Sequence, residues 1–527
     1  MFVTKAPASR VRGEAEGARG DRPYSFFPPM MRTSLAFRVV MAALLRSWFP
    51  VCADSTAPTG KGKGNGGARI NNDRSSPASA VHWNGRVRSP RERTSPMIRD
   101  PVVLLQNLVL SLSDALDLVH LVAVDHQQRV AYMALRLALQ AEWPPGERTD
   151  LLYAAALHDI GILSVEERVG ILQGDLEDTD RHARLGGSLL SRFDPFRRAA
   201  GIVGFHHKEW DATDGWDGVP DPVRRSANAI NLADFVERRI RRDAGILGQA
   251  PGIVAAVDDL RGKQISAELV DAFHKLAGVE SFWLDAVSPH VDTVIAGMVD
   301  WPRVILGMDG LEQIGRILSR IVDYRSAYTA THSGGVAASA SVLARRLLFE
   351  ERECRLVRIA GLLHDLGKVA VPNAILEKAG RLSSWEFDVI RGHAYHTFRI
   401  LSAIGGFEEI TQWAAFHHER MDGNGYPFHH KGDALPLGSR ILAVADVFTA
   451  LIENRPYRNG MGREETTAIL RGFASDGALD GRIVTALVDG YDAIDRERRE
   501  AQEVYAEEFP RRDEGDEGEG GGIRPSP

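Results

Sequence analysis

Leu362–Pro372 reads LLHDLGKVAVP, and Leu157–Gly161 reads LHDIG; the two His-Asp pairs lie 206 residues apart (364 − 158). Each pair follows an apolar run of helical spacing, so adjacent imidazole and carboxylate groups at a helix end can point into one pocket. Further teeth surround each pair. The first set is His126, His158, Asp159, His182, His206, His207 and Asp234; the second is His332, His364, Asp365, His393, His417, His418 and Asp446. The first His precedes the His-Asp pair by 32 in both (158 − 126, 364 − 332), and the third precedes the His-His pair by 24 (206 − 182, 417 − 393). From the second His of that pair to the last Asp the gaps are 27 and 28, and only the stretch from the His-Asp pair to the third His differs clearly, at 23 against 28. Scattered core histidines do not repeat such a spacing, so the pattern reads as an internal duplication of a metal-binding unit.

From Met97 onward apolar residues recur three and four apart, as in Val130–Leu139, Val336–Leu347 and Ala443–Leu451. Gly and Pro clusters at Pro144-Pro145, Asp214–Pro220 and Asp422–Pro427 separate these runs. No strand–Gly-rich loop–helix unit interrupts the pattern. The expected fold is all-α: two tandem helical bundles, 97–300 and 323–505, joined by an amphipathic linker helix over 301–322. Residues 506–527 read as a disordered acidic tail (RRDEGDEGEGGG).

Residues 1–96 are Gly/Ser/Pro/Arg-rich, a composition that buries too little apolar surface to fold. Met97, just ahead of the first helical pattern at Pro101–Leu118, is the expected start, with 1–96 an extension or disordered tail. Residues 1–100 carry 17 Lys/Arg against 7 Asp/Glu (17 − 7 = +10), so with −7 overall the remainder carries −17, which argues against a nucleic-acid-binding body. Leu35–Ala53 is apolar but broken by Arg38 and Arg46, too short between charges for the roughly 20 residues of a span. Thr59–Gly67 (TGKGKGNGG) lacks the full phosphate-loop pattern. Cys52 and Cys354 form neither a metal spacing nor a disulfide framework, which fits a cytoplasmic setting.

Neutral imidazole with carboxylate suits Mn, Fe, Zn, Ni or Co. Two such ions about 3.5–4 Å apart can activate a water and clamp a phosphate oxygen. Each comb holds five histidines and two aspartates, enough for a pair. Lone histidines such as His120 and His290, and His429-His430 in FHHKG, read as ordinary surface or core residues.

Three blocks in the second half carry a family resemblance: LLHDLGKVAVP, HHERMDGNGYP (His417–Pro427) and RILAVADVFTALIENRPYR (Arg440–Arg458). Over roughly 323–490 the chain resembles the HD-GYP family of bacterial phosphodiesterases; through LHDIG and HHKEW (His206–Trp210) the first half resembles the broader HD phosphohydrolase superfamily. The resemblance implies hydrolysis of cyclic di-GMP, to the linear dinucleotide or onward to GMP, with iron or manganese. It also implies that His332, His364, Asp365 and Asp446 hold one ion. Asp365 would then bridge to a second ion held by His393, His417 and His418. Asp365 and Lys368 would be catalytic, Lys368 stabilising charge on a phosphate oxygen. Substrate would be met by Lys368, by Asp422, Gly423, Gly425, Tyr426 and Pro427, and by Arg455 and Arg458, although lone arginines otherwise read as surface ion pairs.

The departures are specific. Members with a third ion carry Glu four residues before the first His, where this chain has Tyr328, so two ions are expected. The usual Arg after the first His is replaced in HSGGVA (His332–Ala337), and HAYHTFRIL replaces the usual Pro and Gly after His393. In the first copy Ile162 stands in for Lys368, and KEWDATDGWDGVP (Lys208–Pro220) only echoes the Gly-Tyr-Pro loop. A second metal site is expected at His126, His158, Asp159, His182, His206, His207 and Asp234; it would either hydrolyse a different phosphate ester or, the favoured reading, serve a retired enzyme that senses a ligand or packs against its partner. The rival readings are a phosphohydrolase of another nucleotide and a catalytically silent module that binds a signalling partner.

Overall fold

The structure is a computed structural model and describes residues 101–117, 125–162, 180–299, 301–324, 331–378, 380–454 and 459–508. The 1–96 extension, Leu35–Ala53, His120, Tyr328, Arg455, Arg458 and the acidic tail beyond Glu508 lie outside the described residues.

The fold is all-α, and the sequence duplication is repeated in the order of its helices. The first bundle runs α1 (Leu105–Asp117), α2 (His126–Gln140), α3 (Pro145–Ala156), α4 (Asp180–Leu190), α5 (Arg197–Gly204) and α6 (Asp221–Glu237), followed by α7 (Ile246–Asp258), α8 (Ala267–Ala277), α9 (Glu280–Ala286) and α10 (Val291–Met298). The second runs α11 (Met308–Tyr324), α12 (His332–Arg346), α13 (Glu351–Leu363), the short α14 (Asn373–Leu376), α15 (Ser384–Ser402), α16 (Glu408–Ala415) and α17 (Leu437–Ile452). It is completed by α18 (Arg463–Ser475), α19 (Gly481–Asp489) and α20 (Tyr491–Glu508). Helices α2, α3, α4, α5 and α6 carry or precede the same teeth as α12, α13, α15, α16 and α17.

Local chemistry sets the ends of these helices. Pro144, Pro220 and Pro436 stand at the N-caps of α3, α6 and α17, where a missing N–H costs nothing. Ser383 with Glu386 forms a reciprocal capping box on α15, and Glu350 with Glu353 forms one on α13. Both α2 and α12 are buried along nearly their whole length, which makes each the central helix of its bundle.

The expected linker helix over 301–322 differs in detail. Ile305–Leu306 is a strand paired antiparallel with Val103–Leu104, and helix begins only at Met308. Leu311, Ile314, Ile317, Leu318, Ile321 and Val322 form a buried stripe, and α11 packs on α12 and α13 as part of the second bundle. Helix α1 in turn touches α2 and α3 and also reaches α15 and the Leu366–Ala370 turn of the other bundle. One continuous apolar core runs through both halves. Among the described residues no helix is long and apolar enough to cross a membrane.

Candidate metal centre and active site

In the second bundle, five separate segments bring the seven comb residues together. His332 opens α12, His364 caps α13 with Asp365 after it, His393 lies within α15, His417 and His418 follow α16, and Asp446 sits in α17. His332 Nε2 is 3.1 Å from Asp446 Oδ1, His364 Nε2 is 3.2 Å from Asp365 Oδ2, and His393 Nε2 is 3.4 Å from Asp365 Oδ1. Three overlapping groups have ligand atoms close enough to share an ion: His332/His364/Asp446, His364/Asp365/His417 and His393/His417/His418.

The imidazoles are aimed by their own helices. His364, His393 and His417 each donate Nδ1–H to the carbonyl three residues back, Gly361 at 2.8 Å, Ile390 at 2.6 Å and Ala414 at 2.6 Å. That bond turns Nε2, with its lone pair, into the cluster. Burial, reinforced by neighbouring imidazoles, lowers His417 to about 3. Burial likewise takes His393 to about 4, and His418 falls well below its ordinary value. These rings are held in the neutral form a metal requires.

His332 is handled differently. Its Nδ1 meets Glu453 Oε2 at 3.0 Å, and although burial pushes the ring down, Glu453 and Asp446 lift it to about 10. A carboxylate behind a ligating imidazole raises its basicity toward a proton or a metal alike. Glu453 itself accepts from Gln502 Nε2 at 2.5 Å, and Gln502 also reaches Thr331 O at 3.2 Å. The C-terminal helix α20 therefore braces the first metal-facing imidazole.

This bracing accounts for the departure HSGGVA. A Cβ at Gly335 would lie 2.7 Å from Gln502 Nε2, and one at Gly334 would lie 3.2 Å from the Tyr505 ring, so the glycines admit α20. Gln502→Ala is expected to weaken metal binding about 10-fold, in the range for residues behind a ligand. Calorimetric Mn(II) titration checks this, and Gln502→Glu should not restore it, because two carboxylates would then oppose each other.

The His-Asp turn is locked against α15. Gly367 N donates to Thr397 Oγ1 at 2.8 Å, and Thr397 Oγ1 donates to His364 O at 3.1 Å. Thr397 lies in HAYHTFRIL, so this second departure supplies the stitch. Lys368 Nζ meets Asp365 Oδ2 at 2.5 Å; burial would raise the Asp365 carboxyl, but His364 and Lys368 hold it well below the usual range.

The Gly-Tyr-Pro loop folds back on the His-His segment. A Cβ at Gly425 would sit 2.4 Å from Arg420 N and 2.6 Å from His418 O, and Gly423 has φ +84°. The peptide before Pro427 is cis. Tyr426 is buried, its N donates to His418 O at 3.2 Å, and its ring lies 4.9 Å from the His418 ring. The Asp422 carboxylate is engaged inside the loop, with Arg420 Nη2 at 2.6 Å and Asn424 N at 2.8 Å. His430, read from sequence as loop surface, packs against Phe416 and Phe428.

The first bundle repeats the cluster. His126 Nε2 lies 3.5 Å from Asp159 Oδ2 and 3.6 Å from Asp234 Oδ1, and His182 Nε2 is 3.5 Å from Asp159 Oδ1. Its rings are aimed alike: His158 Nδ1 bonds Ala155 O at 2.9 Å, His206 Nδ1 bonds Val203 O at 2.7 Å, and His126 Nδ1 meets Glu237 Oε2 at 2.7 Å.

Two pairs of residues escaped the sequence reading. Glu237 and Glu453 follow the last Asp by three and seven residues, on the same helix face or just past its end. Asp117 and Asp323 each stand nine before the first His, both buried, and accept from the residue after it: Gln127 N at 3.4 Å and Ser333 Oγ at 2.9 Å. That equal interval was a readable signal.

Fold and geometry define a helical protein with one buried imidazole–carboxylate cluster per bundle, each able to hold metal. The HD domain profile matches residues 316–483 and, separately, residues 123–244. The chain is 32% identical over 396 residues to 3'3'-cGAMP-specific phosphodiesterase 1 of Vibrio cholerae serotype O1, covering 73% of this chain and 91% of that protein. It is 36% identical over 197 residues to the cyclic di-GMP phosphodiesterase response regulator RpfG of Xanthomonas campestris, covering 36% and 51%. The crystal structure of a cyclic GMP-AMP specific phosphodiesterase of V. cholerae shares the fold, with a TM-score of 0.53 at 23% identity over 74% of this chain and 98% of that one. The chain belongs to the HD-GYP family of HD-domain phosphodiesterases.

Proposed function

We propose that the second bundle is the catalytic unit, a two-metal phosphodiesterase that opens a 3'3'-linked cyclic dinucleotide. The meeting of seven imidazole and carboxylate groups from five segments carries the reading. His332, His364, Asp365 and Asp446 would hold one ion, and Asp365, His393, His417 and His418 the other. Iron or manganese fits this mixed donor set. Such a pair, when bound, lowers the pKa of a water and neutralises phosphate charge.

The chain's own groups do the rest. Lys368 Nζ, 2.5 Å from Asp365 Oδ2, presents a cation beside the Asp365 carboxylate, where it would stabilise charge on a phosphate oxygen. Tyr426, packed against His418, closes one side of the site. Opening one phosphodiester yields the linear dinucleotide, and opening the second yields mononucleotides.

The substrate put first is 3'3'-cGAMP, because the relative named for it aligns over a span long enough to take in both bundles. Cyclic di-GMP is the second reading, favoured by the relative that aligns over about a third of this chain. The full chain, loaded anaerobically with Fe(II) or Mn(II), is incubated with both dinucleotides and a deoxynucleoside triphosphate, and products are read by chromatography. A kcat/KM at least about 10-fold higher for 3'3'-cGAMP is expected, some 1.4 kcal/mol of discrimination. The opposite preference would select cyclic di-GMP. A metal-loaded protein inert toward every nucleotide would move the reading to a partner-binding module.

Lys368→Ala is expected to lower kcat about 10²- to 10³-fold with metal content unchanged, as for loss of one charge-stabilising donor. Loss of metal in that variant would reassign Lys368 to holding Asp365 in place.

A further inference from the structure

Helix α15 carries His393 on one face and a different set of residues on the other. Tyr395, Phe398, Arg399 and Ser402 follow His393 by two, five, six and nine positions, which at about 3.6 residues per turn points them away from the metal-facing side. Opposite them stand Thr411 and Phe416 at the α16 segment, and Phe428 and His430 just past the Gly-Tyr-Pro loop. Between these three segments lies a cavity of about 450 Å³. Small-molecule sites span about 300–1,000 Å³.

The walls are aromatic. The Phe398 and Phe416 rings are 6.3 Å apart and near parallel at 15°, and Phe428 stands edge-on to both at 4.9 and 5.3 Å. His430 packs on Phe416 at 4.8 Å and stacks on Phe428 at 5.7 Å. His429 between them has φ +59°, a left-handed conformation costly for any residue but glycine, and it brings Phe428 and His430 onto one wall. Two polar groups on the lining lack partners among the described residues. Thr411 is 3% exposed, and its Oγ1 makes no hydrogen bond. A buried hydroxyl left in that state is a group that a bound polar atom satisfies. Arg399, at the exposed rim, makes no side-chain ion pair or hydrogen bond. Glu408 shares the lining and accepts from Gly406 N at 3.3 Å, so the rim suits one negative charge and repels a polyanion.

We propose that this cavity is an effector site for an aromatic monocarboxylate bearing a ring hydroxyl. The ring lies among Phe398, Phe416 and Phe428, the hydroxyl meets Thr411 Oγ1, and the carboxylate meets Arg399. Each wall is joined in sequence to the metal-facing cluster. Phe416 precedes His417, Phe428 follows Pro427, and Phe398 follows Thr397, which stitches the His-Asp turn to α15. Phe428 N also donates at 2.6 Å to Glu419 Oε1, one residue past His418. Filling the cavity fixes the segments that carry His393, His417 and His418, and so couples effector to metal. The coupling rests on the metal-binding reading of the second bundle; occupancy of the cavity does not.

The test uses the full chain and 6-hydroxy-2-naphthoate, with 2-naphthoate as the analogue lacking the hydroxyl. Calorimetry on Mn(II)-loaded and on EDTA-treated protein is expected to show one saturable site per chain, with the hydroxylated acid bound at least about 5-fold tighter. Thr411→Val should remove that preference and leave 2-naphthoate affinity unchanged, while Arg399→Met should weaken both acids about 10-fold. Ser402→Trp, at an exposed position on the lining, should fill the cavity and abolish binding without moving the denaturant midpoint. Saturating acid should shift Mn(II) affinity at least about 5-fold in the wild type and not in Ser402→Trp. No saturable binding up to about 1 mM, or undiminished binding by Ser402→Trp, would overturn the site. Binding with unchanged Mn(II) affinity would overturn the effector role. Acid bound by a chain that takes up no Mn(II) would uphold the site and remove the metal-dependent reading instead.

Discussion

Asp365→Ala in the full chain is expected to lose at least about a thousandfold in turnover, more than 4 kcal/mol of transition-state stabilisation. The carboxylate is wedged between two imidazoles, with Oδ1 3.4 Å from His393 Nε2 and Oδ2 3.2 Å from His364 Nε2. No other carboxylate of this cluster lies within ion-pair distance of both rings: Asp446 reaches His332 at 3.1 Å and His364 at 4.0 Å. Removing Asp365 therefore takes a donor from both proposed ions at once. Elemental analysis should show metal release alongside lost activity, while Asp365→Asn, with its shape kept and charge removed, should fold and still turn over poorly. Wild-type turnover in purified Asp365→Ala would sink the catalytic reading.

Gly367→Ala should be nearly as damaging by a purely steric route. The added Cβ would sit 2.0 Å from His393 O and 2.5 Å from Thr397 N, both backbone atoms of α15. No rotamer change relieves such a clash, so α15 must lift off the turn and carry His393 away from Asp365. Overpacking of this kind costs about 1–3 kcal/mol or more. Denaturant midpoint and metal content are expected to fall together. Gly472→Ala, which meets nothing within 4 Å inside α18, is the control and should be neutral or stabilising by up to about 1 kcal/mol. A Gly367→Ala protein with an unchanged midpoint and full metal content would show that turn and helix are not locked together. Gly161 repeats the arrangement, its Cβ position lying 2.1 Å from His182 O, so the same glycine serves both copies.

Much of this was legible in the chain because metal chemistry restricts residue type and short helices restrict spacing. The interval of 32 between His332 and His364 is helix α12, a turn and helix α13; the interval of 24 from His393 to His417 is the rest of α15 and then α16. Local segments fix such intervals, so a duplicated unit prints twice. The missing Lys368 equivalent at Ile162 was equally visible.

The amino-acid sequence by itself determined the all-α class, the duplication, the comb residues and the family. Tertiary structure alone decided which remote groups serve them. Gln502 braces Glu453 from 49 positions away, Glu453 braces His332 across 121 (453 − 332), and α1 of one bundle packs on the His-Asp turn of the other. Ligand identity follows from the electronic needs of a cation and is written residue by residue. The groups that orient those ligands are set by how helices pack, which sums many weak contacts over the whole core and leaves no interval in the chain to read.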